Sequence, residues 1–319
     1  MDRNSGLDRR EFIAGTVALG AHVAGDGASS AAPAEATMAR ATIDGLEINY
    51  MTRGSGPPLL MLAPGGFDAT MERWNLSGVW KGMRPFETLA EHFTLIAYDR
   101  RESGTSGGRV ERLSWALFAE QGKALLDHLK IGDAYVMGGC MGCSVALAFA
   151  ARFPKATRGL ILHWPVGGYR WKINGGDRFA RHVRFARDNK LDGVIKRAHE
   201  GKSFWGVPEA GPWASAIVHD KTFAEAFGAQ DIERYVGLVG ASGRTLFDRD
   251  TAPGAEPEEI MGMTMPALIM AGDDPAHAQS ASHYLKELLA KPQLWPVVPP
   301  NQTSDNVRER ILEFRRMVG

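Results

Sequence analysis

The sequence predicts an α/β fold with a mainly parallel sheet, helices on both faces and a helical cap insertion. Short runs of consecutive apolar residues alternate with longer segments of helical periodicity, which is typical of repeated strand–helix units. The chain has 319 residues, of which 44% are hydrophobic and 23% charged. It is therefore long and apolar enough to bury a large core.

The elements of this fold follow in order after residue 40. Residues 41–43 and 48–50 are predicted strands joined at Asp44-Gly45, a hairpin turn signal. Apolar runs of the buried-strand type then alternate with segments of helical spacing. The predicted strands are 58–63, 93–98, 134–137, 159–163, 267–271 and 294–298, and the predicted helices are 118–129, 144–152, 280–290 and 304–317.

Residues 167–263 interrupt the alternation with mainly helical segments rich in tryptophan, phenylalanine and charge. An insertion between two strands of such a sheet is expected to cover the carboxyl edge of the strands, where ligands bind in open α/β folds. We therefore expect a core made of residues 37–166 and 264–319 and a helical cap over 167–263.

Residues 1–36 have the features of an export signal. Arg9-Arg10 precedes a short apolar stretch and a run of small residues that contains candidate cleavage sites. The apolar stretch is too short and too rich in glycine and alanine to span a membrane stably. The sequence thus predicts a bacterial protein, periplasmic or secreted, that uses the twin-arginine export machinery and has no membrane insertion.

The charge balance gives no indication of a polyanionic partner. Lysine and arginine total 37, and aspartate and glutamate also total 37. Nucleic acid and anionic membranes are recognised by an excess of positive charge, so a small-molecule substrate is the expected partner. The oligomeric state does not follow from these features.

The most specific motif is G-x-C-x-G, formed by Gly138, Cys140 and Gly142 between a predicted strand and a predicted helix. A nucleophile elbow has this local order, because its sharp turn leaves no room for bulk beside the nucleophile. The helix N-terminus beside such a turn favours a thiolate. We therefore predict a covalent catalyst with Cys140 as its nucleophile.

The chain has two cysteines, Cys140 and Cys143, at C-x-x-C spacing. This pair is too small for a disulfide framework, but it leaves a dithiol redox site or a soft-metal site open as an alternative. No second cluster of Cys or His lies nearby in the sequence to complete a zinc site. We accordingly expect no metal and no cofactor.

Four stretches together resemble the α/β-hydrolase fold across residues 40 to 319. They are residues 61–66, similar to the oxyanion loop; residues 98–106, similar to the D-x-R-G-x-G-x-S loop; the elbow; and residues 272–274, similar to the loop that carries the acid. The cysteine in the elbow resembles that of dienelactone hydrolases and of polyhydroxyalkanoate synthases. The resemblance is specific for the fold and much less specific for the substrate.

This resemblance implies roles for particular residues. The oxyanion would be held by the N–H of Met141 and that of Gly66 or Phe67. Asp274 takes the position of the acid, with Asp273 as the alternative.

The histidine that the family carries after its last strand is absent, because that region reads Pro-Pro-Asn-Gln-Thr at residues 299–303. Three outcomes remain open. His277 or His163 acts as the base instead, the thiol needs no base for attack, or the site binds ligands without hydrolysis. Among the histidines we favour His277, which lies in the same loop as Asp274.

We therefore predict a hydrolase that acts on a small ester, lactone or thioester through an acyl-enzyme on Cys140. Trp164 and His163 are expected to line the substrate pocket. The alternatives are a ligand-binding, acyl-transfer or dithiol redox protein on the same fold.

Overall fold

A computed structural model describes residues 35–76 and 78–319. The predicted export signal, residues 1–36, lies outside this range except for Glu35 and Ala36. Among the described helices, none combines the length and the apolar character needed to cross a membrane.

Eight strands form one sheet in the order β1-β2-β4-β3-β5-β6-β7-β8. β2 is antiparallel to both of its neighbours, β1 and β4, and all other neighbouring pairs are parallel. The strands, numbered β1 to β8 along the chain, are Thr37–Ile43, Leu46–Arg53, Pro58–Leu62, Thr94–Tyr98, Ala134–Gly139, Thr157–His163, Ala267–Met270 and Pro292–Trp295.

Helices separate the strands and make up the insertion. Numbered α1 to α12, they are Arg73–Leu76, Gly78–Met83, Pro85–Thr88, Trp115–His128, Met141–Arg152, Tyr169–His199, Ala214–His219, Lys221–Gly228, Ile232–Leu246, Pro257–Met261, Gln279–Leu288 and Ser304–Val318. α6 to α10 lie between β6 and β7, where the cap was expected. The predicted α/β architecture with a helical insertion is confirmed.

The central strands are covered on both faces, as their continuous apolar sequences require. In β3, Leu60 and Leu62 belong to one apolar cluster, while Leu59 and Met61 belong to another. The first cluster contains residues of α4 and α5, and the second contains the apolar side of α12. Successive side chains of a strand point to opposite faces, so each helical layer buries one face of the sheet.

Several elements differ from the sequence prediction, either in their boundaries or because the sequence did not predict them. The helix after the elbow begins at Met141 instead of Ser144, because the turn leads directly into it. The last strand is Pro292–Trp295, earlier than predicted, because it pairs with β7 from Ala267 onward. The short helices α1 to α3, which bury Trp74 and Trp80, had no clear periodicity in the sequence.

Candidate active site

Cys140 stands at the tip of the turn between β5 and α5. Its backbone angles, φ 53° and ψ −123°, are unfavourable for a residue with a side chain. A Cβ on Gly138 would lie 2.3 Å from the carbonyl oxygen of Gly142, and one on Gly142 would lie 2.1 Å from that of Leu62. Both flanking glycines are therefore required by the close approach of strand and helix.

Cys143 lies one turn further on and has a different environment. It is buried, and its Sγ donates to the carbonyl oxygens of Gly138, at 3.1 Å, and His163, at 3.4 Å. Burial raises the pKa of the Cys143 thiol well above its ordinary value, so this thiol stays protonated and unreactive. Both cysteines are free thiols.

Asp274 and His277 form one hydrogen-bonded turn after β7. Nδ1 of His277 lies 2.7 Å from Oδ2 of Asp274. The other carboxylate oxygen accepts the backbone N–H groups of Ala276, at 2.7 Å, and His277, at 3.1 Å. The carboxylate thus orients the ring and fixes the turn that carries it. Both aspartates are exposed, but only Asp274 makes these hydrogen bonds, so it and not the alternative Asp273 orients the imidazole.

The imidazole of His277 faces the elbow. Burial opposes its charged form, but its interactions with Cys140 and Asp274 outweigh burial and raise the pKa of His277 to about 10. Nε2 of His277, the ring nitrogen that Asp274 does not bind, is buried and makes no hydrogen bond to any of the described residues. The hydrogen bond from His277 lowers the pKa of Asp274 to about 2, against the effect of burial. At neutral pH the site therefore holds an imidazolium between a carboxylate and the thiol.

The backbone around His277 is fixed from two sides. The N–H of Gly167 donates to the carbonyl oxygen of Ala276 at 3.0 Å, which joins the turn to the start of the cap. A Cβ on Gly272 would lie 2.4 Å from the Cβ of His277, so the chain before the turn also packs closely against it. The ring centroid of Trp164 lies 5.8 Å from that of His277.

His163 lies at the end of β6 and is completely buried. Its Nδ1 accepts from Nε1 of Trp80 at 3.1 Å, and its Nε2 lies 3.1 Å from Oε1 of Gln302. Burial lowers the pKa of His163 to about 4, although the bond to Gln302 opposes this shift. His163 is neutral at physiological pH and lies behind the cavity wall, not in it as the sequence suggested.

The loop after β3 faces the elbow from the other side. Gly65 and Gly66 have φ values of 119° and 66°, which glycine adopts without strain. Nη2 of the buried Arg100 donates to the carbonyl oxygen of Gly66 at 2.6 Å. Because a trans peptide places C=O and N–H on opposite sides, this bond turns the N–H of Phe67 away from Arg100.

The second expected donor is the N–H of Met141. Met141 is the first residue of α5, and the first N–H groups of a helix have no partner within it. Such groups bind developing negative charge at the positive end of the helix dipole. Of the residues expected to hold the oxyanion, Phe67 lines the same cavity as Cys140, and Met141 directly follows Cys140 in the chain.

A cavity of about 730 Å³ opens above Cys140 and His277. Aromatic residues from both the core and the cap line it, together with the ion pair of Asp68 and Arg73. The aromatic lining residues are Phe67, Trp80, Trp164, Phe204 and Trp205. Within residues 35–76 and 78–319, no group of three or more His, Cys, Asp or Glu side chains could hold a metal ion.

Sequence reasoning missed Trp80 and Gln302. Trp80 lies in one of the short helices before β4, and its place in the cavity wall depends on tertiary packing alone. Gln302 was noted only as a residue that is not histidine. Its position in the sequence was the signal for its role. Gln302 follows the last strand, so it lies near the carboxyl edge of the sheet.

Comparisons with known proteins agree with this architecture. A family model described as "alpha/beta hydrolase fold" matches residues 58–194. An uncharacterized hydrolase, YraK, from Bacillus subtilis is 29% identical over 126 residues, which are 39% of this chain and 43% of that protein. A soluble epoxide hydrolase from a Corynebacterium species is 34% identical over 117 residues, 36% of this chain and 37% of that protein. The chain thus matches less than half the length of these curated relatives.

Solved structures cover more of the chain at lower identity. The meta-cleavage product hydrolase CumD from Pseudomonas fluorescens has a TM-score of 0.57 and 18% identity, and the match covers 88% of this chain and 98% of that one. A thermophilic esterase from Thermogutta terrifontis has a TM-score of 0.57 and 20% identity, with 88% of this chain and 99% of that one covered. At these identities the likeness shows the fold alone.

Proposed function

Since the chain has the α/β-hydrolase fold, we propose that it is a hydrolase that acts on a small ester, lactone or thioester through an acyl-enzyme on Cys140. One observation carries this proposal: Cys140 and His277 line the same cavity, and Asp274 orients the imidazole of His277. Nucleophile, base and orienting acid are the three parts that covalent acyl transfer requires.

The first half of the reaction uses the imidazolium as an acid. The Cys140 sulfur attacks the carbonyl carbon, and the electrons of the C=O bond move to oxygen. The N–H groups of Met141 and Phe67 hold the resulting oxyanion. When the C=O bond re-forms, the bond to the leaving group breaks, and His277 gives its proton to the departing oxygen or sulfur.

The second half uses the neutral imidazole as a base. Water gives a proton to His277 as its oxygen attacks the thioester carbon. The tetrahedral intermediate then collapses, the Cys140 sulfur leaves as thiolate, and the carboxylic acid is released. His277 again carries a proton, so the starting state of the site is restored, while Asp274 stays ionised throughout.

The cavity favours an acyl or alcohol part with substantial apolar surface. Its aromatic lining comes from the core and the cap, and such walls bind planar and aliphatic groups by burying them. The related solved structures include an esterase, whose reaction type fits this geometry. The substrates of dienelactone hydrolases are not carried over, because the resemblance rests on the elbow cysteine.

Intact-mass analysis with p-nitrophenyl acetate and p-nitrophenyl butyrate tests the proposal. A transient mass increase equal to one acetyl or butyryl group is expected, with peptide mapping placing it on Cys140. Cys140→Ala should lose both the adduct and the turnover. Cys143→Ala is the matched control and should keep both. Tight ligand binding without any adduct would favour a binding protein on this fold instead.

Export remains part of the proposal. Residues 1–36 would direct the folded protein through the twin-arginine machinery to the periplasm. In the double variant Arg9→Lys/Arg10→Lys, the protein should stay in the cytoplasm at its full length. Equal periplasmic amounts of variant and wild type would contradict this route.

A further inference from the structure

Gln302 is buried after the last strand, and both the oxygen and the nitrogen of its side-chain amide are fully used. The residue is 5% exposed. Its Oε1 accepts from Nε1 of Trp164 at 2.7 Å and lies 3.1 Å from Nε2 of His163. Its Nε2 donates to the carbonyl oxygens of Ala271, at 2.8 Å, and Val297, at 2.7 Å.

The directions of these bonds follow from the chemistry of the partners. The indole N–H of Trp80 can only donate, so Nδ1 of His163 must be the acceptor. The neutral imidazole of His163 therefore carries its proton on Nε2 and donates it to Oε1 of Gln302. This site needs two acceptor positions and two donors on one side chain, which an amide provides. A neutral imidazole has only one donor and one acceptor.

The amide connects the cavity wall to the loop that carries the imidazole. Trp80 and Trp164 both line the cavity, and their ring centroids lie 5.4 Å apart. Trp164 in turn packs against His277. Ala271 directly follows β7 and precedes the turn that contains His277. Gln302 thus holds the ring beside His277 and the backbone that leads to it.

We propose that Gln302 is a positioning residue for the pair of side chains Cys140 and His277. It fixes the start of the loop through Ala271 and fixes the packing surface of His277 through Trp164. Its part in catalysis rests on the proposed function, whereas its effect on the reactivity of Cys140 can be measured without a substrate.

Alkylation of Cys140 by iodoacetamide tests the proposal without any substrate. The rate is measured between pH 5 and pH 11 in a Cys143→Ser background, so that one thiol reacts. The groups that face His277 are Cys140, Asp274 and the neutral His163, and of these only the first two raise its pKa. A protonated imidazole beside a thiol favours the thiolate, so the alkylation rate reports how well the two side chains are positioned.

Gln302→Met and Gln302→Glu are the main variants. Methionine keeps the length of the side chain and removes all four bonds, whereas glutamate keeps the acceptor and loses both donors. Both should lower the alkylation rate at pH 7 about tenfold or more, since small displacements of paired groups have large effects on reactivity. Their rate profile should move toward alkaline pH. Trp164→Phe removes a single bond of the network and should shift the profile in the same direction by less.

Gln121 provides the control. It is also 5% exposed, lies in α4, and accepts the N–H of Arg101 at 3.1 Å. Gln121→Met should lower the urea midpoint and leave the alkylation profile unchanged. Gln302→His should fail to restore the wild-type profile, because imidazole cannot make the four bonds.

Two results would overturn the proposal. One is a wild-type alkylation profile in the folded Gln302→Met and Trp164→Phe proteins. The other is an equal change in the profile of Gln121→Met. If Cys140 is alkylated as expected in the wild type but no ester forms an adduct, the proposed hydrolysis fails while the positioning role of Gln302 stands.

Discussion

His277 and His163 lie at the same edge of the sheet, after β7 and at the end of the neighbouring β6, yet their environments are opposite. The charge of Cys140 and the bond to Asp274 overcome burial at His277 and raise its pKa to about 10. His163 meets one amide and one indole, and burial lowers its pKa to about 4. The partners of a histidine, more than its place in the fold, decide whether it carries a proton at neutral pH.

The largest effect is expected from the loss of His277. His277→Ala should lower kcat toward p-nitrophenyl esters on the order of 10²- to 10⁴-fold, because both the acid and the base of the proposed reaction are removed. Steady-state kinetics at pH 7 measure this. A decrease of less than about fivefold would show that the thiol works without this imidazole.

Asp274→Asn should lower activity less than His277→Ala does. It should also change the pH dependence of kcat/KM. The carboxylate raises the pKa of His277, so its loss lowers that pKa. The alkaline limb of kcat/KM, which reports loss of the imidazolium proton, should begin near pH 10 in the wild type and at lower pH in the variant. Matching profiles would show that Asp274 does not interact with the catalytic base. Asp273→Asn is the control and should leave the profile unchanged.

His163 should affect stability more than chemistry. His163→Phe leaves the N–H of Trp80 and one acceptor site of Gln302 without a partner, which costs about 1 to 3 kcal/mol of unfolding free energy. Urea unfolding measures this loss, and kcat per folded molecule should stay within about tenfold of the wild type. A decrease in kcat as large as that of His277→Ala would erase the distinction between the two histidines.

The smallest effect on kcat is expected from a change at the contact between the loop after β3 and the cap. A Cβ on Gly66 would lie 2.4 Å from Nε1 of Trp205, so Gly66→Ala displaces either the oxyanion loop or the cap tryptophan. We expect KM to rise severalfold while kcat changes less, because Trp205 belongs to the cavity wall. A loss confined to kcat would place the effect in the oxyanion hole instead.

Local features of the fold could be predicted from the sequence. The elbow follows from Gly138, Cys140 and Gly142, because the need for small residues is set by neighbours within a few positions. The buried strands follow from continuous apolar runs. The pair of Asp274 and His277 could also be predicted, because two side chains three positions apart in one turn lie close together.

Features that depend on distant contacts could not be predicted in the same way. The sequence left His163 and His277 as competing partners of Cys140, because the difference between them comes from Trp80 and Gln302, which belong to other elements. In the sequence, Gln302 was noted only because a histidine was expected in that region. Its role became visible only when its four partners, two of them backbone carbonyls, were brought around it.

The most direct test of the account is the titration of the two imidazoles by ¹⁵N NMR, in the wild type and in Cys140→Ser. In the wild type, His277 should remain an imidazolium up to about pH 10 and His163 should remain neutral down to about pH 4. In Cys140→Ser the hydroxyl stays neutral, so the pKa of His277 should fall while that of His163 stays the same. A His277 that titrates near 6.5 in both proteins would contradict the interaction of His277 with Cys140, and with it the proposed site.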